Sequence, residues 1–145
     1  MKALIVDDDP LTLMLLRASL KYLGYEVSTA RNGKEALEIL DKEHSRLVIS
    51  DWVMPEMDGI ALCRAIRERP IGGYVYIVLL TSKGGTTNLV EGYAAGADDF
   101  MSKPFEPAEL NSRLRTARRI LSLESRDVTI FALARLAESR ESDTG

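Results

Sequence analysis

Along the first 105 residues, short apolar runs rich in β-branched side chains alternate with stretches whose apolar positions recur at helical spacing. ALIV (3–6) is apolar without a break and ends at Asp7, the pattern of a strand buried on both faces. From Pro10, LTLMLLRASLKYL carries a helical repeat with proline in its first turn and Gly24 closing it as a C-cap. YEVSTA (25–30) alternates like a more exposed strand, and Asn32-Gly33 opens KEALEILDKE, a good helix former. RLVIS (46–50) predicts a third strand ending at Asp51. Pro55 and Asp58-Gly59 make a turn before IALCRAIRE, a helix stopped by Pro70. YVYIVLL (74–80) is the most apolar strand and belongs inside the sheet. Gly84-Gly85 leads into a weaker helix at TTNLVEGYAAG, where Gly92 and Gly96 lower the helicity. Asp98 to Met101 predicts a last short strand, Lys103-Pro104 follows it, and a long helix opens near Pro107. Five strands, each followed by a helix, give an α/β fold: a parallel sheet with right-handed crossovers, covered on both faces.

The polar residues then fall in a telling place. Asp7 and Asp8 follow strand 1, Asp51 follows strand 3, Thr81 follows strand 4 and Lys103 follows strand 5. In a parallel sheet these are all C-terminal strand ends, where ligands of open α/β sheets bind. Strand 2 brings nothing comparable, as an edge strand would not. Three carboxylates at one point repel each other unless a cation joins them, and hard oxygen ligands suit Mg²⁺. Lys103 adds an ammonium and Thr81 a hydroxyl donor, which together make a phosphoryl-transfer site with Asp51 as nucleophile. Taken singly, each residue has a plainer reading, since aspartate often caps a helix and lysine often pairs with a neighbour. It is the convergence of five on one edge that argues for a site.

Composition narrows the field. The chain has 145 residues, enough for one domain, with 46% hydrophobic and 28% charged residues and a net charge of −3. That balance points to no nucleic acid and no membrane as a partner. The local exception is Arg113, Arg115, Arg118, Arg119 and Arg126, read as a solvated helix face in preference to a docking surface. Cys63 is the single cysteine, so an internal disulfide is excluded; a cytoplasmic setting and a thiol packed as a small hydrophobe are expected. His44 is the lone histidine and is placed in a surface turn. The N-terminal apolar run is too short for a signal peptide.

At this point the sequence resembles the response-regulator receiver family of two-component signalling, over residues 2–121. LIVDDDP carries the acidic pair, SDWVMPEMDG the acceptor, LLTSK the hydroxyl residue, and GADDFMSKPF the lysine with its cis-prone proline bond. The separations of 44, 30 and 22 residues between Asp7, Asp51, Thr81 and Lys103 also agree with that family. The resemblance implies a flavodoxin-like, doubly wound (βα)5 sheet of strand order 2-1-3-4-5 with an extended C-terminal helix. It implies that Asp51 is phosphorylated by a sensor histidine kinase or a histidine phosphotransfer protein. Asp8, Asp51 and the main-chain carbonyl of Val53 would hold Mg²⁺ directly, and Asp7 largely through water. Lys103 would contact the phosphoryl group, Thr81 would move toward it, and Phe100 would turn inward, reshaping the surface of helix 4, strand 5 and helix 5 for a partner or a second copy. Val53 and Lys83 would tune the access of water, with slow dephosphorylation expected from the apolar Val53. Phe100 stands where the family often has tyrosine, and Ser82 where it often has alanine. Trp52, beside the acceptor, is expected to be exposed at the mouth of the site. The competing enzyme reading, a haloacid-dehalogenase-like phosphatase using Asp7 and Asp9 as an Asp-x-Asp pair, leaves Asp51 unexplained.

The receiver portion is placed at 1–121 and a helical linker at 122–145. Leu110, Leu114, Ala117, Leu121, Glu124, Val128 and Phe131 follow a heptad seam broken at Glu124. That predicts the last helix running on as a signalling helix or short coiled coil, or else folding back on its own domain. RDVTIFALARLAESRESDTG resembles the opening of HD-GYP phosphodiesterase domains, which implies a cyclic di-GMP phosphodiesterase output outside this chain.

Overall fold

The computed structural model describes residues 1–69, 73–82 and 89–124. Five strands, β1 (Lys2–Val6), β2 (Glu26–Ala30), β3 (Leu47–Asp51), β4 (Tyr76–Ser82) and β5 (Asp99–Lys103), form one parallel sheet in the order 2-1-3-4-5. The helices between them are α1 (Pro10–Tyr22), α2 (Gly33–Glu43), α3 (Gly59–Glu68) and α4 (Leu89–Ala95). A fifth, α5, spans 107–124. The fold is thus the expected flavodoxin-like doubly wound sheet.

The alternation of side chains along each strand divides the core in two. Leu4, Val6, Val48, Ile77 and Leu79 face α2, α3 and α4, where they meet Ala36, Leu40, Leu62, Ile66 and Ala95. Ala3, Ile5, Leu47, Ile49, Val78 and Leu80 face the other way, onto Leu16 and Leu20 of α1 and Leu110, Leu114, Ala117 and Leu121 of α5. The seam read as a possible coiled coil is therefore core as far as Leu121: the helix folds back on its own domain, and its next member, Glu124, pairs with Arg46 at 3.2 Å. Val128 and Phe131, like Arg126 and the HD-GYP-like segment, lie outside the described residues.

Helix ends follow their sequence signals. Asp9, Asn32 and Asp58 cap α1, α2 and α3, each accepting a bond from a first-turn amide. His44 is the left-handed cap (φ 55°) that ends α2, exposed as expected. Cys63 is buried in the core, where desolvation pushes its thiol up to about 12. Three strands end later than the sequence pattern placed them. Asp51 is the last residue of β3, Thr81 lies within β4, and β5 runs to Lys103 because Ser82 and Lys103 still pair across the β4–β5 ladder. The arginine run is only partly a solvated face. Arg113 reaches Asp99 at 3.3 Å and Glu109 at 3.8 Å, and the Arg118 guanidinium lies 5.8 Å from the centre of the Tyr25 ring.

Candidate functional site

The strand register builds the site. Val6 sits opposite Ser50 in the β1–β3 ladder, so the next residues, Asp7 and Asp51, emerge side by side. Asp51 sits opposite Leu80, which brings Thr81 one residue beyond it on the neighbouring strand. β5 then delivers Lys103 to the same edge. Its ammonium lies 2.6 Å from Asp7 Oδ2 and 3.1 Å from Asp51 Oδ2, bridging the two carboxylates. The Asp7 contact is an ion pair, and the other Asp7 oxygen accepts the Asp9 amide at 2.9 Å. Asp8 is exposed at the rim, and carboxylate oxygens of Asp7, Asp8 and Asp51 come within 4.8 Å of one another.

Electrostatics at this edge are costly. Asp7 is fully buried, and desolvation holds its carboxyl above the ordinary range despite the Lys103 ammonium; the nearby Asp51 charge adds to the rise. Burial works to lower the pKa of Lys103, but its bonds to Asp7 and Asp51 outweigh that and raise it. The donor set fits a hard divalent cation: three carboxylates, one of them buried with a raised pKa, with one side of the cluster open at Asp8. Asp9 is spent otherwise. Its carboxylate accepts the Leu11 amide at 3.2 Å and the Thr12 hydroxyl at 2.8 Å, which leaves it a helix cap and removes half of the Asp-x-Asp pair.

The loop after Asp51 is drawn tight over the strand. The Trp52 amide donates to Leu80 at 3.0 Å, and the Gly59 amide donates back to the Trp52 carbonyl at 2.8 Å. A Cβ on residue 59 would lie 2.5 Å from the Asp51 carbonyl oxygen, so only glycine permits this closure. Val53 is exposed on that loop and Thr81 is buried on β4; Lys83 lies outside the described residues. Ser82 is exposed beside Lys103, where both line an apolar hollow with Leu11, Leu15 and Phe105. The Lys103-Pro104 bond is cis.

One expectation needs correction. Trp52 is not exposed at the mouth but half-buried, packed on the core side of α3 and α4, 6.0 Å between ring centres from Phe100. Phe100 faces inward, 9% exposed. Apolar packing accounts for the burial of both rings: Phe100 packs on Trp52 and meets the exposed Tyr93 ring edge to face. Sequence reasoning missed Tyr93 as part of this cluster. The available hint was Gly92, a glycine kept inside a helix.

A doubly wound parallel sheet with a carboxylate cluster and a lysine at its C-terminal edge defines a class of small signalling domains. The chain belongs to the family of response regulator receiver domains, whose family model matches residues 3–115. It is 42% identical over 118 residues to a probable transcriptional regulator, ycf27, of Porphyra purpurea, covering 81% of this chain and 47% of that protein. It is 38% identical over 118 residues to the alkaline phosphatase synthesis transcriptional regulatory protein PhoP of Bacillus subtilis, covering 81% and 48%. The chain thus spans about half the length of these curated relatives. Among solved structures it is similar to the chemotaxis response regulator CheY4 of Vibrio cholerae, with TM-score 0.74, 34% identity, and 80% and 97% of the two chains covered. It is also similar to a probable two-component response regulator/GGDEF domain protein, with TM-score 0.78, 32% identity, and 84% and 50% covered. The chain is accordingly a regulatory receiver domain of a two-component response regulator. Among the described residues, no helix is long and apolar enough to cross a membrane.

Proposed function

We propose that Asp51 is the phospho-acceptor of this receiver, taking its phosphoryl group from a phosphohistidine on a sensor histidine kinase or histidine phosphotransfer protein in the cytoplasm. The observation that carries the reading is the Lys103 ammonium bridging Asp7 and Asp51 at the sheet edge. In the transfer, a carboxylate oxygen of Asp51 bonds to phosphorus as the donor's P–N bond breaks, and the leaving imidazole takes up a proton. Lys103 is held where it can neutralise the phosphoryl oxygens, and Thr81 stands on the adjacent strand as a hydroxyl donor. Asp7, Asp8, Asp51 and the Val53 main-chain carbonyl would hold Mg²⁺, which when bound offsets the negative charge of carboxylates and phosphate together. Val53 and Lys83 are assigned the tuning of water access to the acyl phosphate.

The output surface is α4, β5 and α5, with Thr81 and Phe100 as its switch, and Leu89, Val90 and Tyr93 are exposed on α4 for a partner or a second copy. Residues 1–121 act as the receiver and 122–145 as the connection to an output domain. Two outputs compete. The HD-GYP-like resemblance of residues 126–145 favours a cyclic di-GMP phosphodiesterase, but the family match ends at residue 115 and lends it nothing. The relatives named as transcriptional regulators favour a DNA-binding output, which would give the whole regulator a nucleic-acid partner that the net charge of this portion does not suggest. Intact mass after incubation with acetyl phosphate and Mg²⁺ tests the acceptor role. One phosphoryl group on the wild type and none on Asp51→Asn is expected; equal uptake by both refutes it.

A further inference from the structure

We infer that Trp52, Phe100 and Tyr93 form a packed aromatic relay from the acceptor strand to the exposed face of α4, with Gly92 as the positioning residue that seats it. The inference rests on Asp51 being the acceptor and adds a second route out of the site, one that does not pass through Thr81. Trp52 directly follows Asp51 and is pinned at its backbone to Leu80 and Gly59. Its ring packs on Phe100, with 6.0 Å between centres and 31° between planes. Phe100 meets Tyr93 edge to face, at 4.7 Å and 87°. Phe100 is 9% exposed and Tyr93 55%, so the chain of rings begins in the core and ends at the surface.

Gly92 is the condition for this packing. A Cβ at that position would lie 2.6 Å from both Cε1 and Cζ of Phe100 and 3.1 Å from Cη2 of Trp52. Glycine weakens a helix interior relative to alanine. The weaker helix is offset by the room it leaves for two rings. Close-packed rings cannot move singly, so a displacement of the Trp52 backbone on phosphorylation of Asp51 is passed to Phe100 and then to Tyr93.

Trp52 is the only tryptophan, so its emission reads the first ring alone. The full chain is compared as wild type, Gly92→Ala, Gly92→Ala with Phe100→Leu, and Tyr93→Leu. Each is measured before and after acetyl phosphate with Mg²⁺, by Trp52 emission and by hydrogen exchange of residues 89–95. Leucine at position 100 lacks the Cε1 and Cζ atoms that a Cβ on residue 92 would strike. Gly92→Ala is expected to shift Trp52 emission in the unphosphorylated protein and to at least halve the exchange change in α4; the double variant, which relieves the clash but lacks the middle ring, is expected to keep that loss in α4. Tyr93→Leu is expected to keep the Trp52 response and at least halve that of α4. A Gly92→Ala protein that matches the wild type in both readouts overturns the relay, and so does a double variant that regains the full α4 response without the middle ring. Should the wild type gain no phosphoryl group by mass, the acceptor reading falls, and the relay is then decided by the unphosphorylated emission of Gly92→Ala.

Discussion

Replacing Lys103 by methionine should cost stability in a way that depends on both pH and Mg²⁺. The substitution keeps the length of the apolar stem and removes only the charge that bridges Asp7 and Asp51 at 2.6 and 3.1 Å. The carboxylates left behind have oxygens within 4.8 Å of each other, and at an effective dielectric of about 20 their repulsion is about 3.5 kcal/mol. A buried carboxyl can escape by taking a proton, and Asp7, fully buried, is the one that will. The sign follows from linkage: a carboxyl whose folded pKa is raised binds more protons folded than unfolded, so its penalty is full above that pKa and fades as pH falls toward 3.8. Urea unfolding in chelator should therefore show Lys103→Met destabilised by roughly 2–4 kcal/mol at pH 7 and by less at pH 5. Mg²⁺ should recover part of the loss by binding the folded state alone. Lys103→Arg, which keeps a cation, should lose less than half as much. A loss equal at both pH values and unmoved by Mg²⁺ would mean that Lys103 matters through packing, and the electrostatic account of the site would fail.

Asp98 accepts the Ile77 amide at 2.8 Å and the Arg67 guanidinium at 2.9 Å, and also takes the Tyr74 hydroxyl. Asp98→Ala orphans a buried amide and should cost about 2–3 kcal/mol in urea unfolding, while Asp98→Asn, whose oxygen still accepts, should cost clearly less; equal effects would refute the assignment. Burial raises both Tyr74 and Tyr76 to about 12 and also pushes Tyr25 up, so ultraviolet titration should show these phenols ionising late. Because the unfolded chain loses those protons from about pH 10, stability should fall between pH 10 and 12, and thermal melts across that window check the direction. Leu114→Ala should cost about 3 kcal/mol if α5 is core; a loss under 1 kcal/mol would return that helix to the coiled-coil reading.

The strands and the acidic edge were legible because continuous apolar runs ending in aspartate leave little choice of structure. The ends of the strands were not. DDFMSK carries too many polar residues to read as strand past Met101, yet pairing with β4 extends it to Lys103. The last helix shows the limit of periodicity: Leu110, Leu114, Ala117 and Leu121 suit a coiled-coil seam and a core stripe equally, and only the sheet beneath decides between them. Tertiary clusters of residues distant in sequence were out of reach. Arg67 joins α3 to the carbonyls of Val75 and Gly96, and Trp52 meets Phe100, through topology alone.

The fold tolerates a buried carboxylate at its working edge, which suggests that stability is given up there for function. Asp7→Asn separates that idea from an ordinary salt bridge. Asparagine has the shape of aspartate, and its oxygen can keep the Asp9 amide, while Lys103 retains Asp51 at 3.1 Å. The substitution deletes one attraction to Lys103 together with the desolvation and repulsion that hold Asp7 above its usual range. If Lys103 and Asp7 were a simple stabilising pair, removing either partner would weaken the fold. In the present account the signs differ: Lys103→Met destabilises the metal-free protein, and Asp7→Asn leaves it unchanged or more stable by up to about 1 kcal/mol. The Asp7→Asn protein should also gain much less stability than wild type from Mg²⁺, having lost a charged ligand of the cluster. Paired urea curves in chelator and in Mg²⁺ decide the matter, and a loss above 2 kcal/mol for Asp7→Asn in chelator would show that the carboxylate is there to hold the fold.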